Sequence, residues 1–244
     1  MTNWERRIAR AQALEQQYRA AAELLAFYRL IAGFQSRILP APMDAEGPRF
    51  VKIPESLRYS IAPLLSLLED SAPEPLAKTA RILRYTQNWG GEIDPGDPAA
   101  RFIYRVLLQP YAESLAQRHQ PIPSTQQDCP YCGEPPVVAV LRPEGEGGKR
   151  SLICSLCFTE WDYRRLLCPR CGEEDHHKLP IYTNETFAHV RVEACDTCHT
   201  YVKSIDLTRN GHAVPEVDEL AALPLDVWAA EHQYTKLQTN LFGL

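Results

Sequence analysis

Cys129-Pro-Tyr-Cys132-Gly133 and Cys168-Pro-Arg-Cys171-Gly172 are one five-residue phrase written twice, with a single substitution. Each phrase is followed by a plainer pair, Cys154-Ser-Leu-Cys157 and Cys195-Asp-Thr-Cys198. The four pairs use all eight cysteines of the 244-residue chain. A CxxC pair turns two sulfurs toward one point, and two such pairs complete a tetrahedral four-thiolate shell around zinc or iron. Pro130 and Pro169 pre-set φ for a tight turn, and Gly133 and Gly172 tolerate φ > 0. In both units a threonine and an aromatic residue follow the second pair, Thr159 with Trp161 and Thr200 with Tyr201.

This is the pattern of a rubredoxin-type or zinc-ribbon knuckle, whose backbone N–H groups point at the sulfurs. The repeat predicts sequential pairing: Cys129, Cys132, Cys154 and Cys157 around one metal ion, and Cys168, Cys171, Cys195 and Cys198 around a second. The spacing leaves crossed pairing between the units open. Eight cysteines also allow about 105 disulfide connectivities. The chain starts Met-Thr-Asn-Trp-Glu-Arg-Arg without an apolar signal core, and no uncharged run approaches the roughly 18 residues of a membrane span. A cytosolic chain keeps its thiols reduced, which favours ligation. A thioredoxin-like redox pair needs one CxxC beside a βαβ pattern, not four in tandem.

Charge narrows the partners. Residues 129–210 carry 10 Lys and Arg against 12 Asp and Glu, so the cysteine-bearing part is no basic reader of phosphate backbones. Protein surfaces fit it better than nucleic acid.

Upstream, Thr2-x-x-Glu5 predicts a capping box opening one long helix, with Trp4, Ile8, Ala11, Tyr18, Ala22, Leu25, Tyr28 and Ala32 at helical spacing. Residues 40–54, with four prolines, predict a loop. Leu57, Ile61, Leu64, Leu65 and Leu68 predict a second helix kinked or divided by Pro63. A third runs through Leu76, Ala80, Leu83 and Tyr85 to Gly90-Gly91. Asp97-Pro98 caps a fourth that turns Phe102, Val106, Leu107, Tyr111 and Leu115 inward, with a kink near Pro110. This half has no phosphate loop, nucleophile elbow or paired-His motif, and no catalytic residue is assigned.

The expected architecture is α+β and multidomain. It comprises an all-α helical bundle over 1–120, a linker over 121–128, rubredoxin-like four-cysteine ribbons over 129–165 and 166–210, and a C-terminal helix and tail over 211–244. Hairpins are expected at Val137–Leu141 with Arg150–Ile153, and at Leu179–Thr183 with Ala188–Val192. Neither unit has enough apolar residues to fold without metal. Trp161 is expected to pack one ribbon on the other. Arg164, Arg165, His176, His177, His199, Glu193 and Asp196 are expected to be solvated. One helix is expected near Asp218–Gln233, begun late or broken by Pro224, and the apolar tail from Tyr234 is expected to dock on the protein itself.

The cysteine phrases, with Glu160-Trp161 between the second and third pairs, Leu-Pro-Leu-Asp-Val-Trp-Ala-Ala-Glu near the C-terminus and the final Asn-Leu-Phe-Gly-Leu, resemble the formate dehydrogenase accessory protein FdhE family. The resemblance covers residues 129–244 firmly and the first 128 loosely. It implies a cytoplasmic, non-catalytic protein, a homodimer being compatible with it, that acts on the catalytic subunit of respiratory formate dehydrogenase before export. It also implies iron, with zinc as the other choice, at all eight cysteines. The alternatives from other classes are a nucleic-acid-binding zinc-ribbon protein and a rubredoxin-like electron-transfer protein.

Overall fold

The structure of the chain, a computed structural model, describes residues 1–38, 40, 54–86, 97–118, 126–145 and 147–244. The expected loop over 40–54, the Gly90-Gly91 stop and most of the linker lie outside the described residues.

Thr2 caps α1 (Asn3–Gln17) as predicted: its side chain accepts from the Glu5 N–H, and the Glu5 carboxylate accepts from the Thr2 N–H. The single long helix is not formed. Tyr18 is extended (φ −119°, ψ 91°), a short 3₁₀ turn follows, and α2 (Ala22–Gln35) begins anew. No glycine or proline marks the break. It is tertiary: with the chain turned there, Ala11 and Leu14 of α1 share one apolar cluster with Ala21, Leu25 and Tyr28.

Pro63 does not divide α3 (Arg58–Ser71). Pro63 and Tyr59, one turn before it, are both exposed, so the proline ring lies on the outer face of the helix. Next comes α4 (Glu74–Thr86), on which Tyr85 faces solvent. Asp97 caps α5 (Pro98–Ala116), accepting from the Ala99 N–H at 2.9 Å, and all five predicted inward residues are buried. Pro110 lies buried within this unbroken helix. The carbonyl it deprives, that of Val106, accepts instead from Gln35 Nε2 on α2 at 3.1 Å.

The two ribbons form one sheet. β1 (Pro136–Glu144), β2 (Gly147–Cys154) and β3 (Glu160–Asp162) make an antiparallel meander, and so do β4 (Ile181–Thr183), β5 (Val190–Cys195) and β6 (Thr200–Asp206). The strand order is β3-β2-β1-β6-β5-β4, so the units join where β1 runs parallel to β6. That ladder, rather than Trp161, is the main join. Trp161 is buried in the cluster shared with the helices and donates its indole N–H to the Gln126 carbonyl.

Successive β1 residues point to opposite faces, and both faces are covered. Ala139 lies in a cluster with α3, α4 and α5, while Val138 and Val140 lie in another with α1, α6 and α7. The C-terminal segment is two helices, α6 (Pro215–Ala221) and α7 (Leu223–Glu231), with Pro224 in the first turn of the second. The tail docks on the body as expected. β7 (Thr235–Lys236) pairs with β6, and Phe242 packs among Phe27, Tyr28 and Phe102.

A buried polar network anchors this end. Lys203 of β6, fully buried, donates to the Glu219 carbonyl and to Asp226, and pairs with the Glu219 carboxylate at 2.9 Å. Lys236 and Asn240 from the tail donate to the same carboxylate.

Candidate metal centres

The structure groups the cysteines sequentially: Cys129, Cys132, Cys154 and Cys157 in one set, Cys168, Cys171, Cys195 and Cys198 in the other. Within each set all sulfurs lie within 4.8 Å of one another. No disulfide links them. Sulfur pairs stand 3.6 and 3.3 Å apart in the first set and 3.7 Å apart in the second. A tetrahedron with metal–sulfur bonds of about 2.3 Å has edges of about 3.8 Å, so each set has the dimensions to hold one ion.

Each knuckle is built by its own backbone. The Gly133 N–H donates to the Cys129 carbonyl and the Gly172 N–H to that of Cys168. The residue after the second cysteine is left-handed in every pair: Gly133 (φ 77°), Phe158 (55°), Gly172 (76°) and His199 (53°). Glycine takes that conformation freely, and Phe158 and His199 do not. Backbone N–H groups of Cys132, Leu156 and Arg170 donate to Cys129, Cys154 and Cys168 sulfurs at 3.3–3.5 Å. The two threonines flagged by the repeat have matching places: Thr159 Oγ1 is 3.0 Å from Cys157 Sγ, and Thr200 Oγ1 is 3.0 Å from Cys198 Sγ.

The thiols cannot all ionise alone. Hydrogen bonds from Cys132, Cys154 and Cys157 hold the Cys129 thiol far below the usual range, while Cys132, bonded to that sulfur, is pushed up. Burial pushes up Cys154, and raises Cys195 to about 12. Four thiolates this close need a cation to be stable together, which is the charge a divalent ion supplies.

Helix α5 grips the first set. Arg105 donates to Ser155 Oγ at 2.8 Å, and Gln109, itself held by Gln35, donates to the Ser155 carbonyl at 3.1 Å. On the other side Arg7 lies between Trp4 (4.5 Å) and Phe158 (4.1 Å) and pairs with the buried Glu113 at 2.8 Å. A cavity of about 440 Å³ opens beside this knuckle, lined by Arg6, Tyr131, Arg142, Cys157, Phe158 and Glu160.

Sequence reasoning missed Arg7, Arg105 and Gln109, because their partners stand far away in the chain. Two residues expected to be merely solvated have definite work. Glu193 pairs with the buried Arg150 at 2.7 Å, and Asp196 accepts from Tyr234 at 2.6 Å. Arg164 is exposed and pairs with Glu174. His176, His177 and His199 are exposed, as expected; Asp175, His176 and His177 bring their ligand atoms together at the surface.

Fold and site together define a helix-wrapped, two-centre protein of tandem four-cysteine ribbons. The family described as "FdhE, central domain" matches residues 128–165, and "FdhE, C-terminal domain" matches residues 166–242. The "Protein FdhE homolog" of Aquifex aeolicus is 32% identical over 152 residues, 60% of this chain and 53% of that protein. That of Shewanella oneidensis is 33% identical over 181 residues, 67% of this chain and 60% of that protein. The chain thus matches little more than half the length of these curated relatives. The crystal structure of the FdhE protein from Pseudomonas aeruginosa superposes with a TM-score of 0.72 at 25% identity, covering 98% of this chain and 95% of that one. The chain belongs to the FdhE family.

Among the described residues, no helix is long and apolar enough to cross a membrane.

Proposed function

We propose that this chain is an accessory protein in the maturation of respiratory formate dehydrogenase. It binds the catalytic subunit of that enzyme in the cytoplasm before export and supports the redox state of its active site, without being an enzyme itself. Membership of the FdhE family supports the accessory role. The observation that carries the metal part is the pair of four-sulfur sets at tetrahedral spacing. In this reading Cys129, Cys132, Cys154 and Cys157 hold one ion, and Cys168, Cys171, Cys195 and Cys198 hold another. Iron is favoured over zinc, because a four-thiolate iron site passes one electron with little rearrangement and zinc has no redox chemistry. The chain's own part is to hold the sulfurs, to direct N–H and O–H groups at them and, at the first site, to exclude water.

The test is anaerobic capture of the protein from formate-respiring cells, with mass spectrometry of what accompanies it and metal analysis of the purified chain. A formate dehydrogenase catalytic subunit in the eluate, with low formate dehydrogenase activity in a host carrying only Cys195→Ser, is the expected result. Normal activity in that host would sink the reading. Salt-sensitive retention of RNA or DNA in place of the subunit would hand the role to nucleic-acid binding.

A further inference from the structure

The two centres repeat in sequence but not in surroundings. Cys129, Cys132, Cys154 and Cys157 are at most 7% exposed, and all four belong to the apolar cluster that holds Phe102, Leu107 and Tyr111 of α5. Although Cys157 lines the neighbouring cavity, it is only 1% exposed. None of the second four belongs to either apolar cluster. Cys168 and Cys195 are buried, Cys198 is half-buried, and Cys171 is exposed.

The supports differ in the same sense. The first set is clamped by Arg105 and Gln109 through Ser155, and its sulfurs are packed in one apolar cluster with α5. The second set is bordered by surface groups: Thr197 donates to Glu173, and Tyr234 to Asp196. Its strands have anchors independent of any metal. β6 pairs with β1 and β7, and Lys203 ties it to Glu219 and Asp226.

From this asymmetry we propose that the two centres divide their work: the first holds its ion permanently as part of the core, and the second exchanges a thiophilic divalent ion with solution while the protein stays folded. The inference rests on the reading that both sets bind metal. Exchange begins at Cys171. An incoming thiolate or chelator nitrogen bonds to the ion as the Cys171 Sγ bond breaks, and the freed thiolate takes a proton from water. The oxidation state of the ion does not change. The remaining sulfurs follow in turn, Cys198 being the next most accessible. In the first set the same step would carry the incoming ligand into the core beneath α5.

The experiment uses the full-length chain loaded with two equivalents of Co²⁺, whose thiolate charge-transfer bands report each site. The protein is mixed with excess EDTA under native conditions while far-UV circular dichroism is recorded. The expected result is release of one equivalent at least about ten times faster than the other, without loss of secondary structure. Cys171→Ser removes the fast equivalent and keeps the slow one. Arg105→Ala with Gln109→Ala speeds the slow equivalent and leaves the fast one unchanged. Release of both ions at one rate overturns the proposal, as does a fast phase that survives Cys171→Ser or a loss of helix and sheet signal in step with it. A wild-type chain that takes up fewer than two equivalents overturns the underlying metal reading instead, and uptake is measured before the chelator is added.

Discussion

The side-chain amide of Gln35 supplies the hydrogen bond that Pro110 cannot. Pro110 sits inside α5 with no N–H for the Val106 carbonyl, and Gln35 Nε2 donates to that oxygen at 3.1 Å. The same amide donates to Gln109 Oε1 at 3.0 Å, and Gln109 in turn reaches the Ser155 carbonyl. The flaw in the helix thereby becomes the point where α2, α5 and the first knuckle are fastened together.

Gln35→Leu should leave the Val106 carbonyl buried without a partner and lower the unfolding free energy by about 1–3 kcal/mol. Pro110→Ala made in that background returns a backbone N–H and recovers part of the loss; made alone it gains less. A double-mutant cycle by chemical denaturation measures the coupling, and strictly additive effects would refute it.

The knuckle turns give a pair of opposite substitutions. Gly172 has φ 76° and a Cβ there would meet only Gln127 Nε2, at an ordinary contact distance of 3.9 Å, so Gly172→Ala carries only the left-handed penalty of about 1–2 kcal/mol. His199, exposed at φ 53°, already bears that penalty, and His199→Gly should relieve up to about 1 kcal/mol. Thermal melts of the metal-loaded variants should therefore move in opposite directions; a shared direction would show that other contacts set the turn.

Glu219 should contribute to acid sensitivity. Burial pushes its carboxyl up, but Lys203 and Lys236 outweigh this and bring it from 4.5 to about 2. A depressed carboxylate stabilises fully above its unfolded value, and that contribution fades as pH falls from about 4.5 toward 2. Glu219→Gln should flatten the dependence of the urea midpoint on pH over this range. It should also cost about 3–5 kcal/mol at neutral pH, because Lys203 loses a buried partner. An unchanged wild-type slope in the variant would place the acid sensitivity elsewhere.

Arg7→Met should cost a similar amount, about 3–5 kcal/mol, by leaving Glu113 buried with its ion pair broken. It also removes the guanidinium from between Trp4 and Phe158. Glu113→Gln added to Arg7→Met should recover a large part of the loss in equilibrium unfolding. No recovery would show that the aromatic stacking, not the charge, dominates.

The knuckles were legible in the sequence because metal ligation is a local affair: two cysteines, a proline and a glycine within five residues specify a turn whatever lies around it. The caps Thr2 and Asp97 were legible for the same reason. What escaped was settled across the chain. The break at Tyr18 has no local signature, because it follows from burying the faces of α1 and α2 in one cluster. Pro63 and Pro110 both warned of a kink, yet one lies on an exposed helix face and the carbonyl deprived by the other meets a glutamine 75 positions upstream of the proline. The merging of two ribbons into one sheet was hidden too, since a parallel ladder between β1 and β6 leaves no trace in either strand's own residues.

That ladder also sets an order of events during synthesis. The first four-cysteine set is complete once Cys157 has been made, but the second edge of β1 has no partner until residues 204–206 arrive, and one of its covering helices, α6, begins only at Pro215. A nascent chain that captures its first ion promptly would hold β1 and β2 together with one edge open and apolar residues uncovered, the state in which strands pair with the wrong neighbour. Early metal capture would then act as a clamp that keeps a half-made sheet in register until β6 is translated.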